Sequence, residues 1–454
     1  MAYSTTSLAP PYNQPLAGPA CGSAGRSEGR RGVAEKTPRA VGGNWEAEQL
    51  EAKLSRRVHA VAGAYWGAGV RPEPPPVPPI MLAGGVPDPA SLPIDDLVAV
   101  SERVLRREGP EALRYGGPQG FLGLREWLAA DAHRREGLSL GPEHFTITNG
   151  AAGALANLCD TFLDPGDVAI VEAPTYPGAM RSMRSCHAEV LGVPIGGDAD
   201  GLAPQALEKC LEQLRREGRR PKLLYTMANF QNPAGVTMSL ERRREVVELC
   251  RRHDVLIVED DAYGDIRFEG EALPSFFALA GGQGAVRIGT FSKTLATGLR
   301  LGWVMAGQPI VDALLRMRFD LGTSPWPQRV VTEYASSGLL AEHVKEVVPI
   351  YRRKRDAMLA ALDERCSRFA RWDVPRGGFF LWLELSEGVD PATLTEAAAQ
   401  EGVTFVGGRT FFPDGSGARY IRLAYSFVAE AEMAEAVLRL GRAMERAARR
   451  PNTQ

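Results

Sequence analysis

A lysine flanked by hydroxyls stands in the run Thr290-Phe291-Ser292-Lys293-Thr294, and Arg300 follows seven residues on, in Gly298-Leu299-Arg300-Leu301-Gly302. The lysine comes just after an apolar run, Val286 to Gly289, that reads as a strand. An amine and a guanidinium at one strand end offer a nucleophile that condenses with an aldehyde and a cradle for a phosphate. Pyridoxal phosphate carries both partners, an aldehyde and a dianionic tail. A lone Ser-Lys pair after a strand is ordinarily a surface lysine, so the assignment turns on three further segments.

The first, Val258-Glu259-Asp260-Asp261-Ala262-Tyr263, closes an apolar run (Val255 to Val258) with the pattern of a buried strand. Such strands in α/β proteins present their carboxyl ends to ligands. An acid there can pair with a pyridine nitrogen and keep it protonated, which makes the ring an electron sink. A tyrosine slightly further on can reach a ring hydroxyl. The second, Asn229-Phe230-Gln231-Asn232-Pro233-Ala234-Gly235, follows an expected strand from Leu223 to Thr226. Asn-Pro-x-Gly is a turn on any account, and its amides can bond a ligand hydroxyl. The third, Thr148-Asn149-Gly150-Ala151-Ala152-Gly153, leads into an expected helix from Ala152 to Phe162. Small residues there let backbone amides approach a phosphate, which the helix dipole favours. Each segment alone is ordinary: a strand end with solvated acids, a turn, a Gly-rich helix start.

In this order and spacing the segments resemble fold-type I pyridoxal-phosphate enzymes of the class I/II aminotransferase family, in particular the branch of 2-aminoadipate and kynurenine aminotransferases. The resemblance runs from about Arg56 to Met444. It includes Leu82-Ala83-Gly84-Gly85-Val86-Pro87-Asp88-Pro89, Arg114-Tyr115-Gly116, Ala173-Pro174-Thr175-Tyr176-Pro177-Gly178, Gly377-Gly378-Phe379-Phe380-Leu381-Trp382 and Ile421-Arg422-Leu423. It implies that Lys293 forms the internal aldimine and shuttles the proton, on the way to a quinonoid intermediate, and that Asp260 partners the pyridinium nitrogen. It likewise places Asn232 and Tyr263 at the ring hydroxyl and Tyr176 on the ring face. Thr290, Ser292 and Arg300, with the backbone amides of Ala151 and Ala152, match the phosphate cradle. Arg422 is similar to the arginine that grips a substrate α-carboxylate, a task suited to a planar fork; Gly85 and Asn232 match substrate contacts. Tyr115 matches a tyrosine that reaches the phosphate of a neighbouring subunit, which implies a homodimer.

The elements that must position these groups divide the chain. Residues 1–45 are rich in Pro, Gly, Ser and Ala and are expected to be a disordered tail. Residues 46–95 form an N-terminal arm and part of a small domain, with a helix expected over 47–63 and an extended segment at Arg71-Pro72-Glu73-Pro74-Pro75-Pro76, where proline forbids helix. Over 96–335 strands alternate with helices, which predicts a large α/β domain with a mostly parallel sheet covered on both faces. Ser239 to His253 reads as an amphipathic helix with Ser239 as its cap. Residues 336–454 form a smaller α+β domain: a long helix from about 345, a strand from Phe379 to Leu383 and a final helix from about 429. The chain of 454 residues is 44% hydrophobic and 24% charged, with a net charge of −2. That balance gives no electrostatic reason to expect nucleic acid or an anionic membrane as partner, and no apolar run reaches the length of a membrane span. The six cysteines lack Cys-x-x-Cys spacing, which argues for reduced thiols and a cytoplasmic home.

Departures from the family pattern gather near the substrate entrance. Ala151-Ala152 stands where Ser-Gln is usual, Arg376 replaces an acid before Gly-Gly-Phe-Phe, Gly407-Gly408-Arg409 replaces Pro-Gly, and Ala424 replaces an asparagine. Arg376 and Arg409 are therefore candidates to bind a second anionic end of the substrate. The leading expectation is an aminotransferase that uses an α-amino acid and a 2-oxo acid. The alternative is a specialised biosynthetic enzyme that performs elimination, replacement or carbon–carbon bond formation on the same cofactor. A transcription regulator built on this body needs a winged-helix domain that the Pro/Gly-rich first 45 residues do not supply.

Overall fold

The computed structural model describes residues 50–61, 77–196 and 200–448. The tail over 1–45 and the proline run 71–76 lie outside them. In chain order the strands are β1 (Ile80–Met81), β2 (Phe145–Asn149), β3 (Val168–Ala173), β4 (Glu189–Pro194), β5 (Pro221–Thr226), β6 (Leu256–Asp260), β7 (Ala285–Thr290), β8 (Leu301–Met305), β9 (Ala370–Trp372), β10 (Phe380–Leu385), β11 (Val403–Thr404), β12 (Val406–Gly407) and β13 (Tyr420–Ala424).

Seven of them make the main sheet, in the order β2-β8-β7-β6-β5-β3-β4. Only β8 runs against the rest; it is antiparallel to both β7 and β2. The cause is visible in β3, where Val168, Ala169, Ile170 and Val171 are all buried. A strand apolar on both faces needs cover on both. One layer packs Ile170, Leu224 and Ile257 against helices that include Ile94–Ala112, Leu122–Glu136 and Leu240–His253. The other packs Val171, Tyr225 and Val258 beneath helix Gly150–Phe162. Helix Leu240–His253 begins as expected: the Ser239 hydroxyl accepts from the Arg242 amide.

A second, antiparallel sheet, β12-β13-β10-β9, carries its own core. Leu381, Leu383, Ile421 and Leu423 point from one face onto helices Leu339–Arg365 and Met433–Ala448. Leu82 joins this core, and β1 pairs with β11. Two expected boundaries move. The long helix starts at Leu339 rather than near 345, launched by Gly338 at φ 90°, and carries Pro349 within it while buried Val347 and Tyr351 hold the segment in place. The helix expected over 47–63 breaks before Ser55, whose extended backbone heads a new helix, Arg56–Ala60.

Candidate active site

Because all but one strand of the main sheet share a direction, the carboxyl ends of β2, β5, β6 and β7 meet at one edge, and reversed β8 begins there. Asp260 is the last residue of β6, Lys293 lies just past the end of β7, and Arg300 immediately precedes β8. Asn232 sits in the turn after β5, and Asn149 ends β2 where the helix Gly150–Phe162 starts. The sheet gathers in space what the chain spreads over 150 positions.

The Nζ of Lys293 donates to the Gly85 carbonyl at 2.7 Å and lies 5.7 Å from the Tyr263 ring centre. Its pKa falls to about 8: burial disfavours the ammonium, the Arg422 charge adds to this, and Asp260 opposes it. A lysine so placed is a nucleophile near neutral pH.

Asp260 is buried, and its Oδ2 accepts from the Tyr225 hydroxyl at 2.8 Å. Its Oδ1 has no hydrogen-bond partner, and among the described residues no cation forms an ion pair with it. Burial lifts its pKa to about 6. Asp261 behaves oppositely. Its carboxylate accepts from Asn229 Nδ2 at 2.9 Å and from Arg287 at 2.5 Å, and the Arg287 charge holds it below the usual carboxylate range against burial.

At the phosphate end the Thr290 hydroxyl bonds Ser292 Oγ and the Leu301 carbonyl, both at 3.0 Å. Arg300 is exposed and bonds the carbonyls of Thr297 and Asn149 at 3.4 Å. Gly150 has φ +68°, and a Cβ there would lie 2.9 Å from the Arg300 guanidinium. On β8, a Cβ at Gly302 would stand 2.8 Å from the Ala151 amide nitrogen. The first amides of the helix, those of Ala151 and Ala152, therefore sit beside a guanidinium, an arrangement suited to an anion.

Arg422, on β13, is buried. It donates to Asn232 Oδ1 and to the Ala83 carbonyl, each at 2.8 Å. Its Nε is unpaired, it has no carboxylate partner among the described residues, and burial pulls its pKa down to about 10. Phe380 and Phe411 lie 4.2 and 5.1 Å from its guanidinium. Leu82–Asp88 forms a strap across this junction. The Ala83 carbonyl meets Arg422, the Gly85 carbonyl meets Lys293, the Val86 carbonyl meets Ser426, and the Asp88 carboxylate meets buried Lys354 at 2.6 Å. A Cβ on Gly85 would lie 2.4 Å from the Phe380 ring. Tyr176 stands at the start of helix Pro177–Ser185; burial, with the Asp260 charge, pushes its phenol above the usual range, against Arg422 and Arg300. Tyr263 is buried against Phe379 and Phe380.

Two expected residues do not join this cluster. Arg409 is exposed and donates to the Gly415 carbonyl at 2.9 Å, so it braces its own loop. Arg376 is exposed, and its carbonyl bonds the amides of Phe268 and Glu269. Among the described residues no bond holds either guanidinium towards Arg422, because a loop position does not fix where a long side chain points. Tyr115 is 87% exposed and makes no bond to its own phosphate cradle. Sequence reasoning missed Tyr225 and a buried carboxylate, Glu172. The latter accepts from Thr226, Met227 and Gln231, while Gln231 also donates to the Pro174 carbonyl at 2.7 Å. These bonds pin the loop that bears Tyr176 to the loop that bears Asn232. Strand alternation through Leu223 and Tyr225, beside Val258 and Asp260, was the available signal.

Residues 80–440 match the family described as aminotransferase class I and II. The chain belongs to this family. It is 36% identical over 371 residues to the 2-aminoadipate transaminase of Thermus thermophilus, spanning 81% of this chain and 90% of the relative. It is 35% identical over 363 residues to the aromatic-amino-acid aminotransferase 1 of Thermococcus litoralis, with 80% and 87% covered. Among solved structures, the α-aminoadipate aminotransferase of Thermus thermophilus, complexed with N-(5'-phosphopyridoxyl)-L-leucine, superposes with a TM-score of 0.75 at 35% identity, covering 81% of this chain and 92% of that one. The protein is thus a fold-type I aminotransferase that works on an amino acid and a 2-oxo acid, with pyridoxal phosphate as cofactor. The residues present fit that group: a buried acceptor without a partner on Asp260, an amine on Lys293 whose pKa is depressed, and an anion site at Gly150 and Arg300. Among the described residues no helix is long and apolar enough to cross a membrane.

Proposed function

We propose that Lys293 attaches the cofactor and moves the proton at the substrate Cα, that Asp260 holds the proton on the ring nitrogen, and that Arg422 receives the substrate α-carboxylate. When bound, the cofactor supplies an aldehyde and an electron-withdrawing ring. The observation that carries this reading is Arg422: a buried guanidinium with only neutral acceptors and an unpaired Nε. A buried charge without a counter-charge is costly, and a carboxylate brings the missing one. Tyr176, Asn232 and Tyr263 orient the ring, while Thr290, Ser292, Arg300 and the amides of Ala151 and Ala152 hold the phosphate. The rings of Phe380 and Phe411 flank Arg422, and Phe411 packs edge-on against Trp382, the cross-strand neighbour of Arg422, which favours donors with aromatic or other apolar side chains, in line with the relative named for aromatic amino acids. A half-reaction screen tests this. Phenylalanine or tyrosine should convert the cofactor to its amine form faster than aspartate; the reverse order sinks the preference.

A homodimer is part of the proposal. Leu113 and Tyr115 on one segment and Phe319 and Leu321 on another are exposed, and the two segments approach each other where Gly322 meets the backbone of Gly117. Large apolar side chains exposed on neighbouring segments are what an interface covers. Sedimentation should give a two-fold dimer; an active monomer at working concentration contradicts it. The buried free thiols Cys159, Cys186, Cys250 and Cys366 support a reducing, cytoplasmic setting.

A further inference from the structure

Tyr225 lies on β5, one strand away from Asp260. The register pairs Tyr225 with Val258, and Asp260 is two residues further along the same face of β6. The phenol is fully buried, and its hydroxyl donates to Asp260 Oδ2 at 2.8 Å. The carboxylate thus has one oxygen engaged and one, Oδ1, buried and unpartnered. An ordinary core tyrosine that needed only somewhere to place its hydroxyl would not explain the second fact. The arrangement leaves a buried carboxylate with no ion-pair partner among the described residues, held by the phenol and by the Ala262 amide, with Oδ1 given no hydrogen-bond partner.

We propose that Tyr225 is a positioning residue for the cofactor: its hydroxyl fixes the Asp260 carboxylate so that Oδ1 alone meets the ring nitrogen, and biases the shared proton towards that nitrogen. This rests on Asp260 being the nitrogen's partner. The physical argument is short. When a nitrogen and a carboxylate share a proton, its position follows their relative basicity. A donor to the far oxygen stabilises the carboxylate anion and lowers its pull on the proton. A neutral phenol does so without bringing a second positive charge to the ring nitrogen, as an arginine there would. The other titratable groups that face the pair are Glu172 from β3, Tyr176 from the loop after β3, Asp261 and Tyr263 after β6, and Lys293 from the loop after β7. Glu172 is engaged by Thr226, Met227 and Gln231, and Asp261 by Asn229 and Arg287, so neither replaces the hydroxyl.

The test uses the holoenzyme loaded with pyridoxal phosphate carrying ¹⁵N in the ring, with the nitrogen chemical shift as readout beside turnover. The wild-type signal is expected at the protonated position and that of Asp260→Asn at the neutral one. Tyr225→Phe should move the signal part-way to neutral and lower kcat by roughly ten- to a hundredfold, the scale of one hydrogen bond to a charged group, with KM little changed. Tyr225→Met, which also lacks the donor but refills the space flexibly, should match it and guards against a packing artefact. In the Asp260→Asn background, Tyr225→Phe should add nothing, since a residue acting only through Asp260 is fully coupled to it. If Asp260→Asn shifts the nitrogen and neither Tyr225 variant does, the role given to Tyr225 is wrong while that of Asp260 stands. If Asp260→Asn leaves the nitrogen unmoved, the assignment of Asp260 falls first and that of Tyr225 with it.

Discussion

Two buried charged clusters meet at the end of β6 and are built on opposite principles. On one face, Arg287 bridges Asp261 and Glu136, Glu136 also accepts from the Ser275 amide and hydroxyl at 2.9 and 2.6 Å, and Asn229 links Asp261 to Arg243. There Arg287 pairs directly with two carboxylates, and buried Arg243 reaches Asp261 through the Asn229 amide. On the other face, Asp260 has a phenol and Arg422 has an amide oxygen and a carbonyl; neither has an ion-pair partner among the described residues. Adjacent residues of one strand end thus serve different ends. Paired charges join the elements of the fold, and the unpaired ones sit where a cofactor and a carboxylate complete them. Breaking the first cluster should cost stability, and breaking the second should cost chemistry.

The largest effect tests the site at its centre. Lys293→Ala is expected to abolish turnover while the protein still binds cofactor non-covalently; borohydride reduction and peptide mapping should label Lys293 in the native enzyme and no lysine in the variant. Next comes the direct contrast. Asp260→Ala, which frees the ring nitrogen's proton, should slow Cα deprotonation by about 10²–10⁴-fold, the scale of losing one acid–base group, and leave folding intact. Asp261→Ala should lower stability by about 3–5 kcal/mol, as for a broken buried pair, with the smaller effect on rate. Melting curves and single-turnover rates exchange places between the two variants if the comparison is wrong.

A pH test sharpens it. In the apoenzyme, burial raises Asp260 to about 6 from the ordinary 3.8 of an aspartate, so its ionised form destabilises the fold above pH 6, and the penalty shrinks as pH falls towards 4. Apo Asp260→Asn should therefore melt above apo wild type at pH 8, and the gap should narrow at pH 5. Lys293 titrates near 8 rather than near 10.5, so cofactor attachment to the apoenzyme should speed up as pH rises through 8. Arg422→Ala should raise KM for the amino acid roughly ten- to hundredfold. The smallest effects belong to Arg376→Ala and Arg409→Ala. Exposed, or bonded only to their own loop, they should shift KM by less than about threefold.

What the sequence made legible follows from periodicity. Val255–Val258 and Val286–Gly289 declared the two strands that carry Asp260 and Lys293, and Ser239 announced its helix, because apolar runs and caps are local signals. What remained hidden depends on partners distant in the chain. The Tyr225–Asp260 bond exists only in the β5–β6 register, and Glu172 gained meaning only when Gln231 folded against it. The directions of Arg376 and Arg409 are rotamer choices that no spacing encodes. Ser55 broke the first helix because its backbone is extended there, a conformation that a hydroxyl at a helix start commonly takes.

The strap Leu82–Asp88 reaches Arg422 and Lys293 through the carbonyls of Ala83 and Gly85. Main-chain oxygens survive every side-chain replacement, so this part of the recognition is invisible to alanine scanning. A catalogue of point variants will underrate the segment wherever the new residue leaves the path of the chain alone. Its importance would emerge only from changes that reroute the backbone: an inserted residue, a proline, or an ester in place of an amide.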